Sequence, residues 1–298
     1  MKSFRKYLII VFALALMLSM SITVYGASGG KTTYLLTKEK YNEYDPNQET
    51  IDEKRWTKYK YNKYGLMKSI VWSPDSYGYS EKWAFVYNSK KKAVKVNELH
   101  YYDGDVVNRY CRKYSYNKRG YVSRVKVYWI DRGRYDLCSE TKLTWNKKGQ
   151  ITKIRELDDK GKTDSTDSYT YNKKGQLIKT RHYDASDKKY TTTRYKYNQK
   201  GELIKQYYKD DPACTEWIYD GDKVTEIEYT DKSNNEIMFI NYKTYENGNI
   251  MKETQYDCMG GEDNKHKNSS CKYEYRKIKL SSKYRKLVRK QQICLPYM

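Results

Sequence analysis

The chain has 298 residues, with 59 Lys and Arg against 37 Asp and Glu, a formal charge of +22. Leu, Ile, Val and Phe together make up only about one residue in six, a level that with high charge reads as disorder, yet 36 Tyr and 6 Trp are present. Tyrosine therefore replaces aliphatic residues as packing material, which excludes a parallel α/β enzyme with its Val/Ile/Leu strands and a helical bundle. An all-β protein remains.

Residues 1–26 read as a secretory signal: Lys2, Arg5 and Lys6 precede an apolar run from Leu8 to Met20, and Gly26-Ala27 offers a cleavage point. The expectation is a secreted or cell-surface protein, meeting a membrane only if the signal stays uncleaved. Residues 27–55 read as a segment leading into repeats.

From Trp56 to Asp257 a block of Tyr-Asn-x-x-Gly recurs. It is Tyr61 with Gly65, Tyr116 with Gly120, Trp145 with Gly149, Tyr171 with Gly175, and Tyr197 with Gly201. Degenerate copies are Tyr87-Asn88, Tyr219-Asp220-Gly221 and Tyr245-Glu246-Asn247-Gly248, giving anchor spacings of 26, 29, 29, 26, 26, 22 and 26. Such self-similarity marks a repeat architecture. Before each anchor, Tyr alternates with Lys, Thr or Ser, as in Tyr169-Thr170-Tyr171, the period of a half-buried strand. Asn and Gly then supply left-handed positions for a hairpin loop. A second strand follows, such as Leu177 to Tyr183, and a polar link such as Asp184 to Asp187 leads to the next hairpin. The expected fold is a run of tandem β-hairpins in an extended or curled antiparallel sheet, with tyrosines on one face and lysines on the other. A register slip would exchange the two faces. Stability passes between neighbours in such an array, so Tyr61 near its start is expected to matter less than the central Tyr171.

The block resembles the YD repeat of the rearrangement-hotspot proteins: Tyr169-Thr170-Tyr171-Asn172-Lys173-Lys174-Gly175-Gln176-Leu177 matches its Tyr-x-Tyr-Asp-x-x-Gly-x-Leu pattern with Asn for Asp, as does Tyr195 to Leu203. The resemblance covers about Trp56 to Tyr256 and implies a surface or secreted protein whose repeats build a curved shell. In large family members the shell encloses a toxic C-terminal domain. This short chain shows no such domain, so the resemblance points to a small, repeat-only relative.

Residues 258–298 read as a loop, a final hairpin and a basic tail. Six cysteines lie beyond the signal, an even count that in an exported chain suggests disulfides. Cys258 with Cys271 would staple the loop between them. Cys111 with Cys138 would join the lysine faces of neighbouring repeats, leaving Cys214 and Cys294 by elimination. No C-x-x-C pair, nucleophile motif or phosphate loop occurs, so no zinc site, cofactor or catalytic residue is assigned. His182 reads as a surface variant of positions held elsewhere by Gln206 and Glu156. Asp158-Asp159, Asp210-Asp211, Asp103-Gly104-Asp105 and Asp220-Gly221-Asp222 read as turn formers.

The basic residues are the remaining signal. Lys147, Lys148, Lys173, Lys174, Lys179 and Lys205 are candidates for an extended surface that takes anionic polymers, although a solvated face that blocks strand pairing explains them equally. Export favours an anionic wall polymer, a carbohydrate or a partner protein over nucleic acid. The leading expectation is thus a non-catalytic binding or scaffolding module at the cell envelope. The alternative is an accessory or shell component of a YD-repeat toxin system, and a remote one is an unrecognised hydrolase.

Overall fold

The computed structural model describes residues 32–45, 50–209, 211–258, 265–286 and 288. The signal segment 1–26, Cys294, Asp210 and the last ten residues of the tail lie outside them. Eighteen strands follow in chain order. They are β1 (Thr32–Tyr44), β2 (Ile51–Tyr61), β3 (Met67–Trp72), β4 (Tyr79–Tyr87), β5 (Ala93–Tyr102), β6 (Asp105–Tyr116), β7 (Val122–Asp131), β8 (Arg134–Trp145) and β9 (Ile151–Leu157). Then come β10 (Thr163–Tyr171), β11 (Leu177–Asp184), β12 (Lys189–Tyr197), β13 (Leu203–Tyr208), β14 (Cys214–Asp220), β15 (Lys223–Asp231), β16 (Glu236–Glu246), β17 (Asn249–Asp257) and β18 (His266–Lys279).

Each strand pairs antiparallel with the next, and β1 pairs with both β2 and β18, so the meander closes into one 18-stranded barrel. Closure removes the exposed edges that an open sheet would have to protect. It settles between the extended and curled alternatives. It also removes the array's ends: Tyr61, expected near a weak terminus, has β1 and β18 beyond it in the ring. The closing strand β1 comes from the segment before the first repeat.

Register carries one face continuously around the ring. Thr57 opposes Trp72, Ile70 opposes Trp83, Glu98 lies between Trp83 and Tyr110, and the path returns through Glu253, Cys271 and Tyr41 to Arg55. Side chains crowd on the concave side of a curved sheet, and this face holds the buried rings Tyr114 and Tyr195, so it is the inner wall. Its main cluster joins Met67, Ile70, Phe85, Val96, Tyr114, Val125, Leu143 and Ile154. Eighteen strands make a ring wider than one wall's side chains can fill. Anchors such as Tyr171 and Tyr197 accordingly stay half-buried.

The outer wall is the lysine face. Its rings are covered by those lysines: the Lys113 ammonium lies 4.8 Å from the Tyr128 ring centre and 4.7 Å from that of Tyr135, and Arg181 lies 3.8 Å from Tyr190. Apolar stems cover the rings while the charges stay in water.

Among the described residues the expected disulfides do not form: Cys111, Cys138, Cys214 and Cys271 are free thiols. Cys111 opposes Tyr128 on β7, and Tyr128 opposes Leu137 beside Cys138. A whole strand therefore separates the two cysteines, about 9–10 Å at the usual strand spacing, beyond the roughly 4.4–6.8 Å that a disulfide spans between Cα atoms. First strands of successive repeats are not neighbours in the sheet. Cys271 opposes Glu253, and Cys258 lies five residues further along the chain, just past the end of β17, about 16 Å away at the strand rise.

Candidate functional site

Alternate connections all emerge at one end of the barrel, and there the repeat's Asn-x-x-Gly forms the turns. In the turn after β10, the Asn172 amide donates to Gln176 O (2.9 Å) and Gly175 N donates to Asn172 O (3.0 Å). The same pair of bonds closes the turns at 62–66, 117–121, 146–150 and 198–202. Gly175 sits at φ 85°, the left-handed residue of a three-residue hairpin loop. Asn is not left-handed, contrary to expectation. Its side-chain oxygen instead accepts from backbone amides two and four residues on, as Asn146 does from Lys148 (2.9 Å) and Gln150 (3.1 Å). In the copy that lacks glycine, Lys91 takes the left-handed place at φ 61°.

The anchor rings tie these turns together. Tyr171 donates its hydroxyl to Ile151 O (2.8 Å), Tyr197 to Leu177 O (2.8 Å), Tyr61 to Leu36 O (2.8 Å) and Tyr219 to Leu203 O (2.9 Å). Tyr87 and Tyr116 reach Met67 O and Ala93 O in the same way, and Trp145 substitutes its indole N–H, reaching Val122 O at 2.6 Å. Each ring except Tyr61, which reaches inside β1, thus grips the first residue of the return strand in the hairpin before it. Burial pushes the Tyr171 and Tyr197 hydroxyls up to about 12, so they remain donors at any ordinary pH. Turn-to-turn bonds add to this ladder: Gln150 Nε2 donates to Gly175 O (2.7 Å), Lys148 Nζ to Lys173 O (3.2 Å), and Arg119 to Asn146 O (2.6 Å) and Lys147 O.

The two residues between Asn and Gly project from the end of the barrel, and they are mostly cationic. Lys63, Lys90, Lys118, Arg119, Lys147, Lys148, Lys173, Lys174 and Lys200 occupy these places in six successive turns, and Lys91 and Lys92 add to them. Glu202 is the one carboxylate in the same six turns. Successive turns stand two strands apart, about 10 Å. The result is an arc of positive charge, here called the crown. It ends where Asp220, Asp222 and Glu246 form the last two turns. At its other end a helical turn at 282–286 brings Lys283, Arg285 and Lys286, held by Leu280 and Val288 packing over Gly65 and Leu66 and by Tyr284 against Tyr64 (4.9 Å). The opposite rim is mixed, with Asp75, Asp103, Asp158 and Asp187 against Arg132, Lys160 and Lys188.

Of the candidate lysines, Lys147, Lys148, Lys173 and Lys174 come together in adjacent crown turns. Lys179 lies apart, on the outer wall opposite Arg194. Lys205, also outside, pairs with Glu216 at 2.9 Å, which raises its pKa. The rest of the crown escaped notice because its members are single residues far apart in sequence, although each sits at the same place in its repeat.

His182 faces inward, its Nδ1 2.8 Å from Asp167, and that hydrogen bond raises its pKa. It is a structural pair on the inner wall and not the surface variant expected. Lys243, bonded to Glu226 and 3.2 Å from Glu253, is another: burial pushes its pKa down and the two carboxylates more than offset this. Asp158 accepts from the Lys160 and Lys162 amides, the turn role expected of it. Among the described residues no His, Cys, Asp or Glu group could hold a metal ion.

No family model matches the chain, and no curated protein matches it. Among solved structures it is similar to a porin-like protein from Bacteroides uniformis, with TM-score 0.46 and 10% identity over 81% of this chain and 98% of that one. A porin-like protein from Bacteroides vulgatus gives 0.28 and 9% over the same shares. The Photorhabdus luminescens Tc holotoxin pore gives 0.17 and 11%, over 70% of this chain and 15% of that one.

Proposed function

We infer that the protein is a non-catalytic binding module that captures a linear polyanion on its crown, and that it does so outside the cell, as a relative of the YD-repeat proteins. The observation that carries this reading is the crown itself: one or more cations in each of six successive turns, at regular intervals and locked by the tyrosine ladder. Pre-set charges lose little conformational freedom on binding. A polymer carrying many phosphates or carboxylates can meet several turns at once, so modest contacts multiply. The outer wall carries Lys58, Lys60, Lys113, Lys142, Arg155 and Arg194 in its strands. A lysine or arginine facing lipid at mid-membrane costs about 2–4 kcal/mol, so the barrel is read as standing in water at the envelope.

The test uses long-chain inorganic polyphosphate and purified cell walls. Binding should weaken with salt, log K falling against log salt by about 0.7 for each phosphate neutralised on a flexible strand. Changing Lys147, Lys148, Lys173 and Lys174 together to Gln should lower that slope by up to about 3. Binding that is absent at low as well as high salt, or unchanged in the fourfold variant, would refute the reading.

A further inference from the structure

A second site lies on the inner wall, toward the end away from the crown. There β1, β2, β3 and β18 enclose a cleft of about 320 Å³, lined by Glu39, Tyr41, Arg55, Thr57, Trp72 and Ser73 among others. Its volume falls at the lower end of small-ligand sites, which combine apolar walls with a few fixed polar groups.

The charged groups around the cleft carry a net negative charge. Arg55 is neutralised at home, its Nη2 lying 2.8 Å from Glu43 and 3.2 Å from Glu53, and its guanidinium lies over the Tyr41 ring at 5.3 Å. Its Nε is buried and has no hydrogen-bond partner among the described residues. A buried donor left without an acceptor costs about 1–3 kcal/mol, and a ligand oxygen would recover that. Glu39 accepts the Tyr59 hydroxyl at 2.9 Å, and burial pushes its carboxyl up to about 7. Near neutral pH it is about half protonated and can both donate and accept.

Rings continue the site along the wall. The Trp72 ring meets Trp83 edge-on at 5.3 Å. Trp83, Glu98, Tyr110 and Trp129 occupy directly opposed positions on β4, β5, β6 and β7. Trp129 leaves 38% of its surface open. Tyr110 and Trp129 stand on neighbouring strands, about 4.8 Å apart, roughly the pitch of the sugar rings in an extended glycan, and Glu98 separates them from Trp83. An exposed ring such as Trp129 calls for a partner that covers it, and the C–H faces of pyranose rings stack on such surfaces. Glu53, Glu81 and Glu98 flank the row, while its cations Arg55 and Arg112 are already paired, Arg112 with Glu98. That balance repels the polyanion suited to the crown.

We propose that the cleft holds one pyranose unit of a neutral glycan, whose chain runs from Trp72 along Trp83 toward Trp129. This site is independent of the crown. Hydroxyls would accept from Arg55 Nε and exchange hydrogen bonds with Glu39, Thr57 and Ser73, while the sugar ring lies against Trp72; the Trp83 face is already covered by the Arg112 guanidinium at 4.9 Å.

The experiment titrates the full chain with cellohexaose, maltohexaose, mannohexaose and chitohexaose, reading tryptophan fluorescence and heat. At least one should bind with Kd below about 1 mM, equally at about 0.15 M and about 1 M salt. Trp72→Ala should weaken that binding at least about tenfold, as should Arg55→Lys, which keeps the charge and removes Nε. Should Trp72→Ala not fold, Arg55→Lys and Thr57→Val decide. The fourfold crown variant should bind the glycan unchanged, which separates failure here from failure of the polyanion reading. No binding of any of the four hexasaccharides up to about 5 mM, or variants that bind like the parent, would overturn the proposal.

Discussion

The tyrosine ladder makes the sharpest prediction, at Tyr171. Tyr171→Phe keeps the ring and removes only the hydroxyl that donates to Ile151 O at 2.8 Å. A neutral hydrogen bond of this kind is worth about 0.5–1.5 kcal/mol, and its orphaned carbonyl sits at a rim that water can reach, so about 1 kcal/mol is expected. Tyr171→Ala also removes the ring. A tyrosine buries about 150–250 Å² when fully enclosed, and Tyr171 is half-buried. Roughly 100 Å² at about 25 cal/mol per Å² gives about 2.5 kcal/mol, and with the lost bond about 3–4 kcal/mol. In a chain of this size each kcal/mol lowers Tm by about 2–4 °C. The expected order in thermal melts is therefore parent, then Phe lower by a few degrees, then Ala lower by roughly 10 °C. Tyr61→Phe should match Tyr171→Phe, because the closed ring gives Tyr61 a carbonyl to grip as well, Leu36 O. If Tyr171→Phe melts with the parent, the ladder contributes nothing. If Tyr171→Ala does so too, the inner wall is not packed as described.

Glycine substitutions should separate strain from crowding. Gly149→Ala would put a methyl 2.3 Å from the Tyr121 hydroxyl, whereas at Gly133, equally left-handed, nothing lies within 4 Å. Both should lose about 1 kcal/mol to backbone strain, and Gly149→Ala should lose measurably more, read by urea denaturation. Lys173→Ala, in an exposed turn, should stay within about 0.5 kcal/mol of the parent. Glu39 gives a pH signature. Its folded pKa of about 7 lies above the ordinary 4.5, so the folded state holds the extra proton between these values and stability falls as pH rises through them. The loss reaches at most about 3 kcal/mol above pH 7, and Glu39→Gln should flatten that part of the stability profile. Loss of the His182–Asp167 pair acts in the same direction above the ordinary imidazole range, so the difference between parent and Glu39→Gln is the quantity to measure. Finally, Ellman's reagent should modify exposed Cys138 at once and buried Cys111 and Cys214 only on unfolding. Protection of Cys138 without reductant would show that it is bonded after all.

The repeat, its hairpins and the placing of the anchor rings on one face were legible in the sequence because all three are local; other tyrosines, such as Tyr128 and Tyr190, lie under the lysines and arginines of the outer wall. Period-two alternation fixes which residues share a face, and Asn-x-x-Gly fixes where the chain reverses. The hydroxyl-to-carbonyl ladder was not legible, since Tyr171 and Ile151 lie 20 residues apart and backbone carbonyls leave no mark on a sequence. The disulfide expectation failed for the same reason. Cys111 and Cys138 stand at matching places in successive repeats, but an antiparallel return strand must lie between them. The crown was half legible: each cationic pair was visible, but their arrival at one end depends on every connection between repeats reversing the chain once more. Closure was decided by tertiary structure alone. Strand twist and coiling accumulate over the whole sheet, and only their sum, reached after eighteen strands, brings β1 against β18. The inner cleft follows from that meeting, because Tyr41 and Arg55 reach Cys271 only where the two ends of the sheet join.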